Sequence, residues 1–400
     1  MSQPLTENRY PEVLSIEWSV VSLSESTGEG QEYDLYLSIA CGDRWEPLGN
    51  GQLQFGLKGG ELALRLKEGI WCSEAEQEPD LSGIGAQAIA SGTPENPTWT
   101  LTPVKSGQIL AGSISRCKWG RIQATSSQGA LEARFSLKAT EIQIMGAEGL
   151  WLHQVTPNQV AIAEQKLALM LLQSQLQPYI SRTLWQSQGK VEMPSSHQPK
   201  PSFDGATALA LITQITTANT DHFQELAEIA GLNLAQDLAG AKLLGTNLNG
   251  LDLSEANLCR VYLRGAELCD VDLSSANLQH ANFGGADLSG AYLSDAYLER
   301  ANFHRASLAL ANLSGANLSG ADFTEANLSN ANLSDTQLTG ANFTGADLTG
   351  AGIVLSDLTN IILDRAKVHD TRFKDNPGLT QAMHDSLLQR GAIFEHDETE

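Results

Sequence analysis

The chain is poor in the residues that usually announce chemistry, metals or a membrane. Its 400 residues hold five cysteines, Cys41, Cys72, Cys117, Cys259 and Cys269. An odd count without Cys-x-x-Cys spacing suggests neither a disulfide framework nor a zinc site. The eight histidines are scattered, and there is no Gly-x-Ser-x-Gly elbow and no phosphate loop. Carboxylates do not pair in a recognisable pocket either. A non-enzymatic protein without cofactor or metal is therefore expected. Lys and Arg number 25 against 47 Asp and Glu, a net charge of −22. That excess argues against direct binding to nucleic acid or to an anionic membrane. The longest apolar run, around Leu167–Leu172, is far too short for a membrane span. The polar Met1 end lacks a charged-then-apolar leader, so a cytoplasmic protein is expected.

What the chain has instead is a period. From Gln236 to Asp375 one five-residue phrase recurs without a break, as in Ala286-Asp287-Leu288-Ser289-Gly290 and Ala291-Tyr292-Leu293-Ser294-Asp295. Stepping by five from Leu238 to Phe373 gives twenty-eight apolar centres. A period of five fits neither a helix nor a flat strand and marks a solenoid. Ala recurs two places before the centre, so that slot is tight and buried. The other three positions carry Asn, Asp, Ser, Thr, Gly and charges and face water. No single phrase can bury its centre, so stacked phrases must share a core.

The phrase resembles the Ala-(Asp/Asn)-Leu-x-x consensus of the pentapeptide repeat family, which is abundant in cyanobacteria. The resemblance implies a right-handed quadrilateral β-helix with four repeats per coil. The sequence carries its own test of that number. Phe283, Phe303, Phe323 and Phe343 are spaced by twenty and would stack on one face of a four-sided coil. A three-sided coil would scatter them. Seven such coils at a strand separation of about 4.8 Å would form a rod of roughly 34 Å.

Residues 1–185 read as a duplicated, mainly β domain, an antiparallel sandwich or barrel, that ends in a helix. Leu14, Ile16, Trp18 and Val20 alternate with polar residues, as do Tyr33, Leu35, Leu37 and Ile39. Gln52–Trp71 matches Glu132–Trp151 at an offset of 80, with identities at Phe55/Phe135, Leu57/Leu137, Lys58/Lys138, Glu61/Glu141, Glu68/Glu148, Gly69/Gly149 and Trp71/Trp151. Glu17-Trp18-Ser19-Val20 and Thr98-Trp99-Thr100-Leu101 form a further match, offset by 81. Two halves, about 12–72 and 95–152, are expected, each with about four strands. Ser73–Pro97 between them reads as a long loop. Its string Gly83-Ile84-Gly85-Ala86-Gln87-Ala88 lacks the strand and helix that a dinucleotide loop needs. Thr156 and Pro157 start a helix to about Gln175, expected to pack on the β domain.

Residues 186–204 read as a Pro-rich linker and 205–235 as a helical cap region. Within it, Thr220–Ala230 is expected to start on Thr220, bury Phe223, Leu226 and Ile229, and stop at Gly231. After the repeats at 236–375, residues 376–400 should form a second helical cap, Thr380–Arg390, with Met383 and Leu387 inward, and an acidic tail. Such caps cover the open ends of a β-helix.

Sorting residues by face at a spacing of twenty divides the rod. The faces centred on Leu258/Leu278/Leu298 and on Leu263/Phe283/Phe303 carry Arg260, Tyr262, Arg264, His280, Tyr297, Arg300, His304 and Arg305. The other two carry Asp252, Glu255, Glu267, Asp270, Asp272, Asp287, Asp295, Asp335 and Asp347, and no Lys or Arg before Lys367. Tyr and Arg favour interfaces. The basic–aromatic side is therefore a candidate patch for an unidentified protein partner, and an interaction or scaffold protein is expected. Two alternatives stand beside it. Some members of the resembled family mimic duplex DNA and inhibit type II topoisomerases. The β domain could instead bind a small ligand or carbohydrate near Trp71 and Trp151. The sequence leaves the oligomeric state open.

Overall fold

A computed structural model describes residues 4–23, 31–48, 51–72, 79–105, 108–125, 129–148, 150, 155–187 and 203–395. The chain divides into two compact units, 1–152 with 167–210, and 153–166 with 211–400. The division falls inside two helices, α1 (Pro157–Leu171) and α2 (Gly205–Thr216).

In the first unit the described strands are β1 (Leu5–Asn8), β2 (Leu14–Ser22), β3 (Gln31–Cys41), β4 (Asp43–Leu48), β5 (Gly51–Leu57), β6 (Gly60–Lys67), β7 (Gly69–Cys72), β8 (Ala86–Thr93), β9 (Asn96–Pro103), β10 (Gly112–Ala124), β11 (Ala130–Ser136), β12 (Ile142–Glu148) and β13 (Ser181–Gln186). They pair antiparallel in sheets ordered β1-β13-β11-β6-β9-β8, β2-β3-β10-β7 and β12-β5-β4. The first two sheets meet through aromatic edges. Trp99 of β9 packs at 5.5 Å on Trp119 of β10 and at 4.9 Å on Trp71 of β7, and Tyr33 of β3 at 4.9 Å on Trp185 of β13. Edge-to-face aromatic pairs add stabilisation beyond the area they bury. The Trp71 ring lies where a Cβ on Gly120 would stand, which is why β10 carries glycine there. Trp71 is thus tied into this cluster, and Trp151 lies outside the described residues.

The two segments that match at an offset of 80 pair with each other. β5 and β6 of the first copy do not pair with each other. β5 pairs with β12 and β6 with β11, so each copy's first strand joins the other's second. Leu57 stands opposite Ile142. Strict symmetry would set Leu137 opposite Leu62, but Phe135 takes that place. A slip of two residues keeps the same side chains on the core face. The proposed match of Trp18 with Trp99 does not hold, because β2 pairs with β3 while β9 pairs with β6 and β8.

Strands β1, β8 and β13 lie outside the stretches that the sequence marks as strands. The expected loop Ser73–Pro97 contains β8, an edge strand whose side chains are mostly exposed and so show no apolar alternation. Its Gly83-Ile84-Gly85 string forms a single 3-10 turn. The domain does not end in its helix, since β13 returns between β1 and β11. Its buried face is Ser181, Thr183 and Trp185, with Thr183 bonded to Thr6 through their hydroxyls at 2.8 Å. Half-polar burial erased its hydrophobic signature.

Helix α1 starts as expected. Thr156 Oγ1 accepts from the Gln159 N–H at 3.2 Å, and Gln159 Oε1 accepts from the Thr156 N–H at 3.1 Å, a reciprocal capping box. Its first turns belong to the second unit, where Asn158 Oδ1 accepts from the Asn247 N–H at 2.9 Å and Gln165 donates to the Asp237 carbonyl. These contacts cover the edge of the first coil, a role the sequence had assigned only to the following helix. That helix, α3, spans Phe223–Ala230, with His222 rather than Thr220 at its N-cap and Gly231 in the left-handed C-cap. Phe223, Leu226, Ala227 and Ala230 are buried, whereas Ile229 is exposed because it lies off that narrow arc.

From Lys242 onward residues twenty apart pair as parallel bridges, Tyr262 with Asn282 and Asn282 with Asn302. The coil therefore holds four phrases. Phe283, Phe303, Phe323 and Phe343 stack at 4.8, 4.8 and 4.6 Å with rings nearly parallel between the first three. At each corner the centre's carbonyl accepts from the N–H three residues on, as from Ala256 to Leu253 at 3.2 Å. The residue between the turns has positive φ: Glu255 57°, Arg260 60°, Gly265 63°. That is the type II pattern, and it explains Gly and Asn at the fifth position. Asn or Asp before the centre accepts from the N–H two residues on, as Asn282 from Gly284 at 3.0 Å. Where Thr or Ser replaces the buried Ala, its hydroxyl bonds a carbonyl, as Thr336 to Leu333 at 2.7 Å.

At the far end β14 (Gly352–Val354), β15 (Arg372–Lys374) and β16 (Ile393–Phe394) pair in parallel. Helix α4 (Gln381–Gln389) is capped by Thr380, whose hydroxyl accepts from the Met383 N–H. Leu387 is buried and Met383 half-buried. Truncating Phe303→Ala in mid-stack should cost about 3–5 kcal/mol. Urea unfolding monitored on the rod would show it, and a loss below about 1 kcal/mol would mean that the stack can collapse onto the gap.

Candidate functional site

The rod's chemistry lies on its outside. Arg260, His280 and Arg300 occupy one corner row on successive coils, with Arg260 N–H bonded to the Gln279 carbonyl and His280 N–H to that of Glu299. Burial lowers the His280 pKa, and the flanking Arg260 and Arg300 lower it further against the opposing charge of Glu299. These three sequence-predicted residues are therefore brought together. Tyr262 is on the next face, bridged to Asn282, and the Arg264 stem lies over Gly284. His304 and Arg305 sit two coils on, and Arg305 is engaged by Glu325 at 2.7 Å. Tyr297, 53 % exposed, stands on the Leu258 face in the column of Asn257 and Asn277. Among the described residues Arg260, Arg264 and Arg300 have no carboxylate partner.

Periodicity alone did not single out Glu299. Its Oε1 accepts from Asn317 Nδ2 at 2.6 Å, while Oε2 is buried without a hydrogen-bond partner. A lone Glu in the position after the centre, among Cys259, Gln279 and Ser319, was the available signal.

On the opposite side carboxylates are held by hydroxyls. The Ser289 hydroxyl donates to Asp287 at 2.6 Å and lowers its pKa, as Ser254 does for Asp252. Among the described residues no group of three or more His, Cys, Asp or Glu is placed to hold a metal ion, and no helix is long and apolar enough to cross a membrane.

This geometry defines a class: a capped solenoid of five-residue turns that presents flat, charged faces. Residues 237–274, 252–290, 276–315, 286–324 and 316–351 match the model for pentapeptide repeats, in eight copies. The chain thus contains a pentapeptide-repeat domain of that family, beside a separate N-terminal β-rich region. Similar solved structures include HetL, a pentapeptide repeat protein involved in heterocyst differentiation regulation from the cyanobacterium Nostoc sp. strain PCC 7120. It is 27 % identical over 40 % of this chain and 79 % of HetL, with a TM-score of 0.27. Another is a pentapeptide repeat protein from the Arabidopsis thaliana thylakoid lumen, 34 % identical over 28 % of this chain and 66 % of that one, with a TM-score of 0.16. Rfr23 from the cyanobacterium Cyanothece 51142 is 25 % identical over 34 % and 90 %, with a TM-score of 0.12. No curated protein matches the chain.

A carboxylate with a depressed folded pKa stabilises the rod above its unfolded pKa and loses that contribution as pH falls through the folded value. Asp287 should accordingly titrate below 3.8 by carboxyl NMR. Ser289→Ala should raise it and move the acid-unfolding midpoint to higher pH. An unchanged Asp287 titration in that variant would remove the hydroxyl as the cause.

Proposed function

We propose that the chain acts without catalysis, as an interaction protein whose working surface is the outside of the rod. The rod itself we take as a right-handed, four-sided β-helix of about seven coils, a reading supported by the twenty-residue pairing and the Phe stack. The observation that carries most weight is the acidic side. Nine carboxylates from Asp252 to Asp347 lie on two adjacent faces, with no Lys or Arg before Lys367. Among the described residues only Asp347 of the nine has an ion pair, with Lys367 at 2.9 Å. At the observed coil rise this is about one charge per 2.5 Å of axis, against ~1.7 Å for duplex DNA. Such a surface suits the cationic groove of a DNA-handling protein, and modulation of a type II topoisomerase by duplex mimicry is the function it supports best. The wild-type protein should inhibit gyrase supercoiling at micromolar concentration, and the triple variant Asp270→Lys, Asp272→Lys, Asp287→Lys should not. Absence of inhibition by the wild type discards duplex mimicry.

A second reading is favoured by the uncompensated Arg260, Arg264 and Arg300, in a chain where cations are scarce. In it the basic–aromatic side docks a protein partner in the cytoplasm, and the rod and β domain together serve as a scaffold. Replacing Arg260, Arg300 and Arg305 by Glu should remove a partner captured by the wild type without unfolding the rod, as circular dichroism would show. Retention of every captured partner would sink the patch.

A further inference from the structure

The Leu258 face carries opposite charges on its two edges. One edge is the corner row Glu255, Ser275, Asp295, Gly315, Asp335, and the other is Arg260, His280, Arg300, Gly320, Gly340. Glu255 and Arg260 share a coil, and so do Asp295 and Arg300, two coils on. All four stand on left-handed corners, with φ of 57°, 60°, 57° and 55°, at the turns between adjacent faces. Among the described residues none of the four makes an ion pair, since the width of the face separates the rows. Asn257, Asn277 and the exposed Tyr297 lie between them.

We propose that this face docks a second copy of the same chain, with the two rods parallel and related by a two-fold axis running along them. The proposal rests on reading the rod as an interaction module, and not on the identity of any partner of the acidic side. Charge selects the orientation. A two-fold along the rods lays each acidic edge over the other copy's basic edge, whereas a two-fold across them lays acid on acid and base on base. Register follows from the coil. Arg260 of one copy meets Glu255 of the other and Arg300 meets Asp295, because each pair shares a coil within one chain. Sliding by one coil sets Arg260 against Ser275 and loses the match. Self-docking also avoids the difficulty of an isolated acidic partner, since both copies satisfy both rows at once. The face is one five-residue side of the coil, roughly 34 Å long at about 4.8 Å per coil, and so offers less than the ~800 Å² per partner of a standard interface. The dimer is therefore weak and concentration-dependent.

Sedimentation equilibrium of the full chain from about 5 to 300 µM at ~0.15 M salt tests this. The wild-type mass should rise towards that of a dimer. Glu255→Arg with Asp295→Arg, and separately Arg260→Glu with Arg300→Glu, should each stay monomeric with unchanged circular dichroism. An equimolar mixture of the two variants should recover the dimer, which a folding defect could not do. A monomeric wild type, a variant that dimerises like the wild type, or a mixture that stays monomeric overturns the proposal. The Asp270, Asp272, Asp287 lysine triple lies on other faces and should dimerise as the wild type does. Loss of gyrase inhibition and loss of self-association are thereby separable, and loss of dimerisation in that triple also counts against the proposed face.

Discussion

Everything in the rod depends on one backbone demand, a positive φ every fifth residue. That corner turns the chain and lets the centre's carbonyl accept from the N–H three residues on. It also sets successive coils so that residues twenty apart pair in parallel. Gly meets the demand without strain at Gly265 and Gly285, yet Arg260, His280, Asp295 and Arg300 meet it too. A non-glycine residue in that region is uncommon and costs conformational energy. The stacked Leu and Phe core over-determines the backbone strongly enough to hold it. The corners thereby become positions where long charged side chains can stand outward, and the charge pattern of the surface is written there.

The same core gives the rod its tolerance and its limits. Ala fills the buried slot two places before the centre in most phrases, and Val261 and Val271 are fully buried in the same slot. When a hydroxyl enters, as at Thr246 or Thr336, it must bond a carbonyl, and it does. The ends cannot rely on stacking. Asn158 and Gln165 of α1 complete the first coil, and β16 with the Phe394 ring extends the last, 5.3 Å from Phe373. The β-rich unit solves its packing differently, with indole edges joining two sheets. There β5 pairs with β12 and β6 with β11, so the two matching segments pair with each other.

The rod was legible because its signal repeats. The spacing of Phe283, Phe303, Phe323 and Phe343 implied the stack and the twenty-residue coil, and the face assignments followed. The β-rich unit was less legible. Its alternating strands were visible, but β8 is an exposed edge and β13 buries Ser181 and Thr183, so neither carries an apolar rhythm. Ile229 was placed inward on periodicity, whereas α3 buries only the arc from Phe223 to Ala230. The pairing of the two matching segments with each other could not be read at all, since seven identities at offset 80 say which residues are equivalent and not which ones pair.

By itself the sequence determined the period, the residue type at each position and hence the composition of each face. A fixed period maps linear spacing directly onto space. The tertiary structure decided which charges remain unpaired, that Arg305 is engaged by Glu325, and that one oxygen of Glu299 is buried without a hydrogen-bond partner. Those are properties of distance across and between coils. The pitch and width of the folded rod set them, and no local pattern contains either.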